Sequence, residues 1–106
     1  MLILNDIIEI KLQMINIFNI QIKYLRQMDF VTVRDLQCIE KDLVNLLGNK
    51  CNRIKFDNSI ISLCNDQNII ELLKNVCLDY ERVLKVRNKL FILYACNAME
   101  NNCKLN

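Results

Sequence analysis

Apolar residues recur along the first quarter of the chain with helical spacing. At about 100° per residue, Ile7, Ile10, Met14, Ile15, Phe18, Ile22, Leu25 and Met28 share one broad face, while Glu9, Asn16, Lys23 and Gln27 lie opposite. The pattern predicts an amphipathic helix over residues 6–28, capped by Asn5, and a connection over 29–31. Thr32 with Asp35 three places on has the form of a capping box with the shorter acid, and Gly48 stands where a left-handed C-cap is expected. Between them Val33, Leu36, Ile39, Leu43, Leu46 and Leu47 form an apolar stripe. A second helix over about 33–47, with that stripe buried, is predicted.

Residues 49–58 are polar and irregular and read as a loop; 59–64 read as a short helix capped by Asp57 or Asn58. From Asp66 the helical period continues to about residue 100 without a breaker. Ile69, Leu73, Val76, Tyr80, Val83, Leu84, Leu90, Phe91 and Tyr94 share its apolar face, with Arg87 in the middle. An arginine there is either paired with a buried acid or marks a break near Asn88 where the phase resets. The break is the expectation, because one helix of ~34 residues would run ~50 Å, long for a bundle of this size. The predicted fold is all-α: a compact bundle of four or five helices forming a single domain over residues 1–106.

Composition agrees with helices. The chain is 53% hydrophobic and 25% charged, so it has enough apolar surface to collapse. It has no proline and one glycine, which leaves few residues for the hairpins of a sheet protein. Its first residues, MLILNDIIEI, are interrupted by Asn5, Asp6 and Glu9 and do not read as a signal peptide. Nor does any window reach the uncharged apolar length of a membrane span. With Met1 as the natural start a cytoplasmic protein is expected, and a secreted one if a leader has been removed. Fifteen asparagines and fifteen isoleucines suit an A+T-rich genome, as in a virus, a parasite or a low-GC bacterium.

The chain contains no histidine, which excludes Ser-His-Asp and Cys-His catalysis, and its single glycine excludes a Gly-rich phosphate loop. An enzyme is not expected, nor is a cofactor or a metal. Six cysteines remain, four of them thirteen apart at Cys38, Cys51, Cys64 and Cys77, then Cys96 and Cys103. Structural zinc favours closely spaced pairs, and no two cysteines here are nearer than seven residues. Cys77 flanks the apolar face and reads as core filler. Cys38 projects to the polar side among Lys41 and Asn45, Cys51 falls in the predicted loop, and Cys96 and Cys103 lie off the apolar face of a continuous helix. Cys38 is therefore expected to be bridged to Cys96 or Cys103, or covered by an interface. Reduced thiols in a cytosol are the leading expectation and disulfides the alternative.

Lys74, Arg82, Lys85 and Lys89 line the outer face of the last helix, and Lys50, Arg53 and Lys55 cluster before it. A net charge of +2 gives no bulk attraction to nucleic acid, and Glu71 and Glu81 are interleaved, so these read first as solvated side chains and second as an anion or nucleic-acid contact. The run LQCIEKDL, residues 36–43, resembles the cysteine-bearing second helix of short-chain four-helix cytokines. It covers eight of 106 residues, and the resemblance implies a secreted, disulfide-stabilised signalling protein. Against that stand the missing secretory leader, the missing glycosylation sequon and connections too short for cytokine crossovers. The leading expectation is a non-enzymatic protein–protein interaction module, a small viral or parasite factor that binds a host or partner protein. Leu12 and Ile20, off the main face of the first helix, are apolar surplus that suits a homodimer or a helix-in-groove contact.

Overall fold

The computed structural model describes the backbone of residues 2–56 and 66–105, and the side chains of 3–53 and 66–94. The first helix, α1, spans Leu2–Arg26. It begins ahead of the expected cap: Asn5 is exposed within the helix, while Ile3 and Leu4 are buried with Ile7. Its end is a Schellman motif. The Met28 N–H donates to the Leu25 carbonyl at 3.0 Å, and the Asp29 N–H to the Tyr24 carbonyl at 3.0 Å. The motif needs a left-handed residue, and Met28 supplies it with a φ of 60°. No β-branch stands at that position, but the usual glycine is absent.

Asp29 then caps the second helix, α2, Phe30–Phe56. Its carboxylate accepts the Thr32 N–H at 3.1 Å and the Thr32 hydroxyl at 2.6 Å. The cap therefore lies three residues before the expected box of Thr32 and Asp35, and two helices turn on three residues. Gly48 does not end α2; it takes no positive φ, and a Cβ added there would point into open space. A mid-helix glycine costs about 1 kcal/mol. On either side of it, Leu47 and Cys51 pack against Ile3, Leu4 and Ile7, and Lys50 reaches Asp6 at 3.2 Å. Those contacts carry the helix through what reads locally as a stop, so residues 49–56 of the predicted loop are helical. The predicted short helix at 59–64 lies outside the described residues.

The last helix, α3, spans Gln67–Leu105, with the Asp66 carboxylate accepting the N–H groups of Asn68 and Ile69 at its start. It passes Asn88 without a break. Among the described residues there are thus three helices, where four or five were expected, and one reason is that residues 66–100 form a single element.

Both later helices pack on α1. Lys11 meets Cys77 and Gln21 meets Arg87, a constant offset of 66 that makes α1 and α3 parallel. Asp6 meets Lys50 and Gln21 meets Glu40, so α2 runs antiparallel. The backbones of α2 and α3 stay further apart, and these two helices meet through side chains, Glu40 with Arg87 and Phe30 with Tyr94. Two clusters fill the bundle: Ile3, Leu4 and Ile7 at one end, and Ile10, Met14, Phe18, Ile22 and Val83 along the middle. α3 alone is ~58 Å long and sets the 61 Å axis of the molecule. The radius of gyration, 17.4 Å, exceeds the ~13 Å of a compact chain of this length, because α3 continues beyond the end of α1.

Candidate interaction surface

Each helix carries one polar residue in an apolar row of seven-residue spacing: Ile7, Met14 and Gln21 on α1; Val33, Glu40 and Leu47 on α2; Leu73, Tyr80, Arg87 and Tyr94 on α3. The structure brings these three polar residues together. The Arg87 guanidinium donates to Glu40 Oε1 at 2.5 Å and to Gln21 Oε1 at 3.0 Å, and Gln21 Nε2 donates to Glu40 Oε1 at 2.9 Å. Arg87 Nε donates to Asn88 Oδ1 at 3.0 Å. The guanidinium carbon lies over two rings, 4.9 Å from the Phe18 centroid and 4.7 Å from that of Phe91. Cation–π contacts with both rings, together with the hydrogen bonds, let a charge sit where Arg87 is buried. No buried side-chain nitrogen or oxygen among the described residues lacks a partner. The paired arginine, rather than a helix break, resolves the anomaly at residue 87. Glu40 was the missing acid, and its place between Val33 and Leu47 was the signal for it.

Tyr80 stands beside this node, edge-on to Phe18 with centroids 5.5 Å apart and with Lys11 Nζ 4.8 Å over its ring. Burial first, and then the charge of Glu40, push its phenol above the ordinary tyrosine range, with Arg87 pulling the other way. Lys11 also lies 3.3 Å from the Cys77 sulfur. At the turn, the two hydrogen bonds from Thr32 hold the Asp29 carboxyl below the usual range.

The outside of the bundle is less finished than the inside. Of the α2 stripe predicted to be buried, only Val33 is; Leu36, Leu43 and Leu47 are half-buried, and Ile39 and Leu46 are 51% and 45% exposed. A shallow cleft on that flank, between α1 and α2, is lined by Asp6, Glu9, Ile10, Gln13, Leu46 and Lys50. A second cleft on the other flank of α1 is lined by Asn19, Ile22 and Arg26 with Arg82, Val83 and Val86 of α3. Leu12 is half exposed and Ile20 half-buried. Among the described residues, no three cysteine or carboxylate side chains gather as metal ligands, and no helix is long and apolar enough to cross a membrane.

Lys74, Arg82, Lys85 and Lys89 all lie exposed on the outer face of α3, where Arg82 pairs with Asp79 at 3.3 Å. Lys50 and Arg53 belong to α2 rather than to a loop, and the Lys55 side chain lies outside the described residues. Cys38 is exposed and free, in keeping with its phase; Cys51 and Cys77 are half-buried and free. A bridge from Cys38 to Cys96 or Cys103 within one chain does not fit the fold. Phe30 against Tyr94 and Glu40 against Arg87 fix the register of α2 and α3. Cys38 is level with the turn of Arg87, so Cys96 stands ~13 Å and Cys103 ~24 Å further along the axis, beyond the ~7 Å Cα separation a disulfide spans. The side chains of Cys96 and Cys103, and all of Cys64, lie outside the described residues.

No protein-family model matches the chain, and neither does any curated protein or solved structure.

Proposed function

We propose that this chain is a non-enzymatic protein–protein interaction module that binds through a helical face, with α2 at its centre. The observation that carries the reading is the α2 stripe: a helix with seven-residue apolar rows buries only Val33 and leaves Ile39 and Leu46 half in water. The Gln21, Glu40 and Arg87 node supports it from inside, since a three-helix polar contact fixes register and presents a rigid surface. The free state of Cys38, Cys51 and Cys77 favours this over a disulfide-built signalling protein.

The test is photo-crosslinking in the cells that make the protein, with the photoreactive residue placed at exposed Asp42 beside the stripe. Discrete adducts are expected, and Ile39→Ser with Leu46→Ser removes them while the thermal midpoint stays within a few degrees. No adduct at native abundance, or adducts indifferent to the double substitution, would end the proposal. Adducts to nucleic acid instead of protein would transfer the activity to the basic face of α3.

A further inference from the structure

The module has two unlike faces that fit each other. One is the α1/α2 flank. Ile39 and Leu46 lie seven residues apart on it, and the exposed acids Asp35 and Asp42 run beside them in a parallel row of the same spacing. Glu9 and the Asp6–Lys50 pair edge the adjoining cleft. The other is the outer face of α3, where Leu78, Lys85 and Ile92 form a row of seven-residue spacing flanked by Lys74, Arg82 and Lys89. Leu78 and Ile92, at 66% and 65% exposure, are among the most exposed large apolar side chains of the molecule. None of Glu9, Asp35, Asp42, Lys74, Lys85 and Lys89 has an ion-pair partner among the described residues. Glu71 and Glu81 soften the first half of the basic face and Arg53 the far end of the acidic one, so the unopposed charge centres on Lys85 and Lys89 against Asp35 and Asp42.

We infer that the occupant of the acidic α1/α2 flank is the basic outer face of α3 from a second copy of this chain; the inference rests on the interaction-module reading above. The lengths match: Leu78 to Ile92 spans ~21 Å of helix, and Asp35 to Leu46 spans ~17 Å before the Glu9 cleft extends it. Ile39 and Leu46 stand ~10 Å apart, half the span of Leu78 to Ile92, so one end of the α3 row meets that pair and the other lies over the adjoining cleft, while Lys85 and Lys89 meet Asp42 and Asp35. The two faces point in opposite directions, because the acidic cleft lies on one flank of α1 and α3 packs on the other. A contact between unlike, oppositely directed faces is heterologous and does not close on itself, so copies add head to tail. One strip of this size is small beside a stable interface of roughly 800 Å² per partner, so association is weak, concentration-dependent and weakened by salt.

Sedimentation velocity of the full chain across a wide concentration range, at low and high salt, tests this. The weight-average mass is expected to rise past that of a dimer without a plateau, and to fall back in high salt. Lys85→Glu with Lys89→Glu, and separately Asp35→Lys with Asp42→Lys, change only exposed residues; each set weakens association by roughly tenfold or more. An equal mixture of the two variants restores it, since each reversed face now complements its counterpart on the other. A mass that stops at the dimer, or association indifferent to both reversals, overturns the inference. So does a monomer at every concentration. If that monomer still gives Ile39- and Leu46-dependent adducts to another protein, the module reading survives and only the self-docking is lost.

Discussion

α1 and α2 are similar in length and both amphipathic, yet α1 supplies ten of the thirteen buried hydrophobic residues among those described and α2 only Val33. Position in the fold explains the difference. α1 lies between two neighbours, so residues on both flanks, Ile8 and Ile17 as well as Phe18 at its centre, are covered. α2 packs closely on α1, reaches α3 through a few side chains such as Glu40 and Phe30, and leaves a flank open. An apolar stripe therefore records every contact a helix is built to make, including those outside its own chain. Where the fold leaves part of the stripe uncovered, the remainder is evidence about partners.

The largest test of this contrast is a pair of truncations. Phe18→Ala, which empties a fully buried site under Arg87 and beside Tyr80, is expected to cost about 4 kcal/mol in urea unfolding. Ile39→Ala should stay within about 0.5 kcal/mol. Comparable costs at the two sites would mean that α2 is as covered in solution as α1.

Next in size is the polar node that joins the two helices to α3. Glu40→Ala leaves the Arg87 charge buried without its acid, and about 3 kcal/mol of destabilisation is expected. Replacing Gln21, Glu40 and Arg87 together by leucine should be near neutral or stabilising, while loosening the register of the helices. The readout is the unfolding midpoint beside the sharpness of the amide spectrum. A triple variant as unstable as Glu40→Ala would show that the node holds the bundle together rather than specifying its alignment.

The turn between α1 and α2 offers a smaller, opposite effect. Met28 takes a left-handed conformation that glycine adopts without steric cost, so Met28→Gly is expected to stabilise by about 1 kcal/mol. Loss of stability instead would mean that the exposed Met28 side chain makes a contact of its own.

The smallest effects are in pH dependence. The Asp29 carboxyl is depressed in the folded chain by its hydrogen bonds from Thr32. Its contribution is thus present above the unfolded value of ~3.9 and fades as pH falls through the folded one. Thr32→Val should flatten that acid-side slope. Tyr80 is shifted the other way, so the folded chain keeps a proton that the unfolded chain loses. That contribution is complete below ~10 and is lost as pH climbs through the folded value of Tyr80. In a phenolate absorbance titration, Tyr80→Phe should remove the latest step and Glu40→Gln should move it to lower pH. An unchanged titration in Glu40→Gln would separate Tyr80 from the node.

The amino-acid sequence alone determined the helical class, the apolar faces of all three helices, the start of α3 at Asp66 and the off-face position of Cys38, because each of these depends on residues within a turn or two of one another. It also contained the polar residues of the node in their seven-residue rows, but a lone Arg87 cannot say whether an acid on another helix will meet it. The tertiary structure decided that, and with it the continuity of α3 through Asn88. It decided too that α2 runs past Gly48, since contacts of Leu47, Lys50 and Cys51 with α1 outweigh a local cost of about 1 kcal/mol. The exposure of Ile39 and Leu46 belongs to the same level. Local pattern fixes which side of a helix is apolar; only the placement of its neighbours fixes how much of that side is covered.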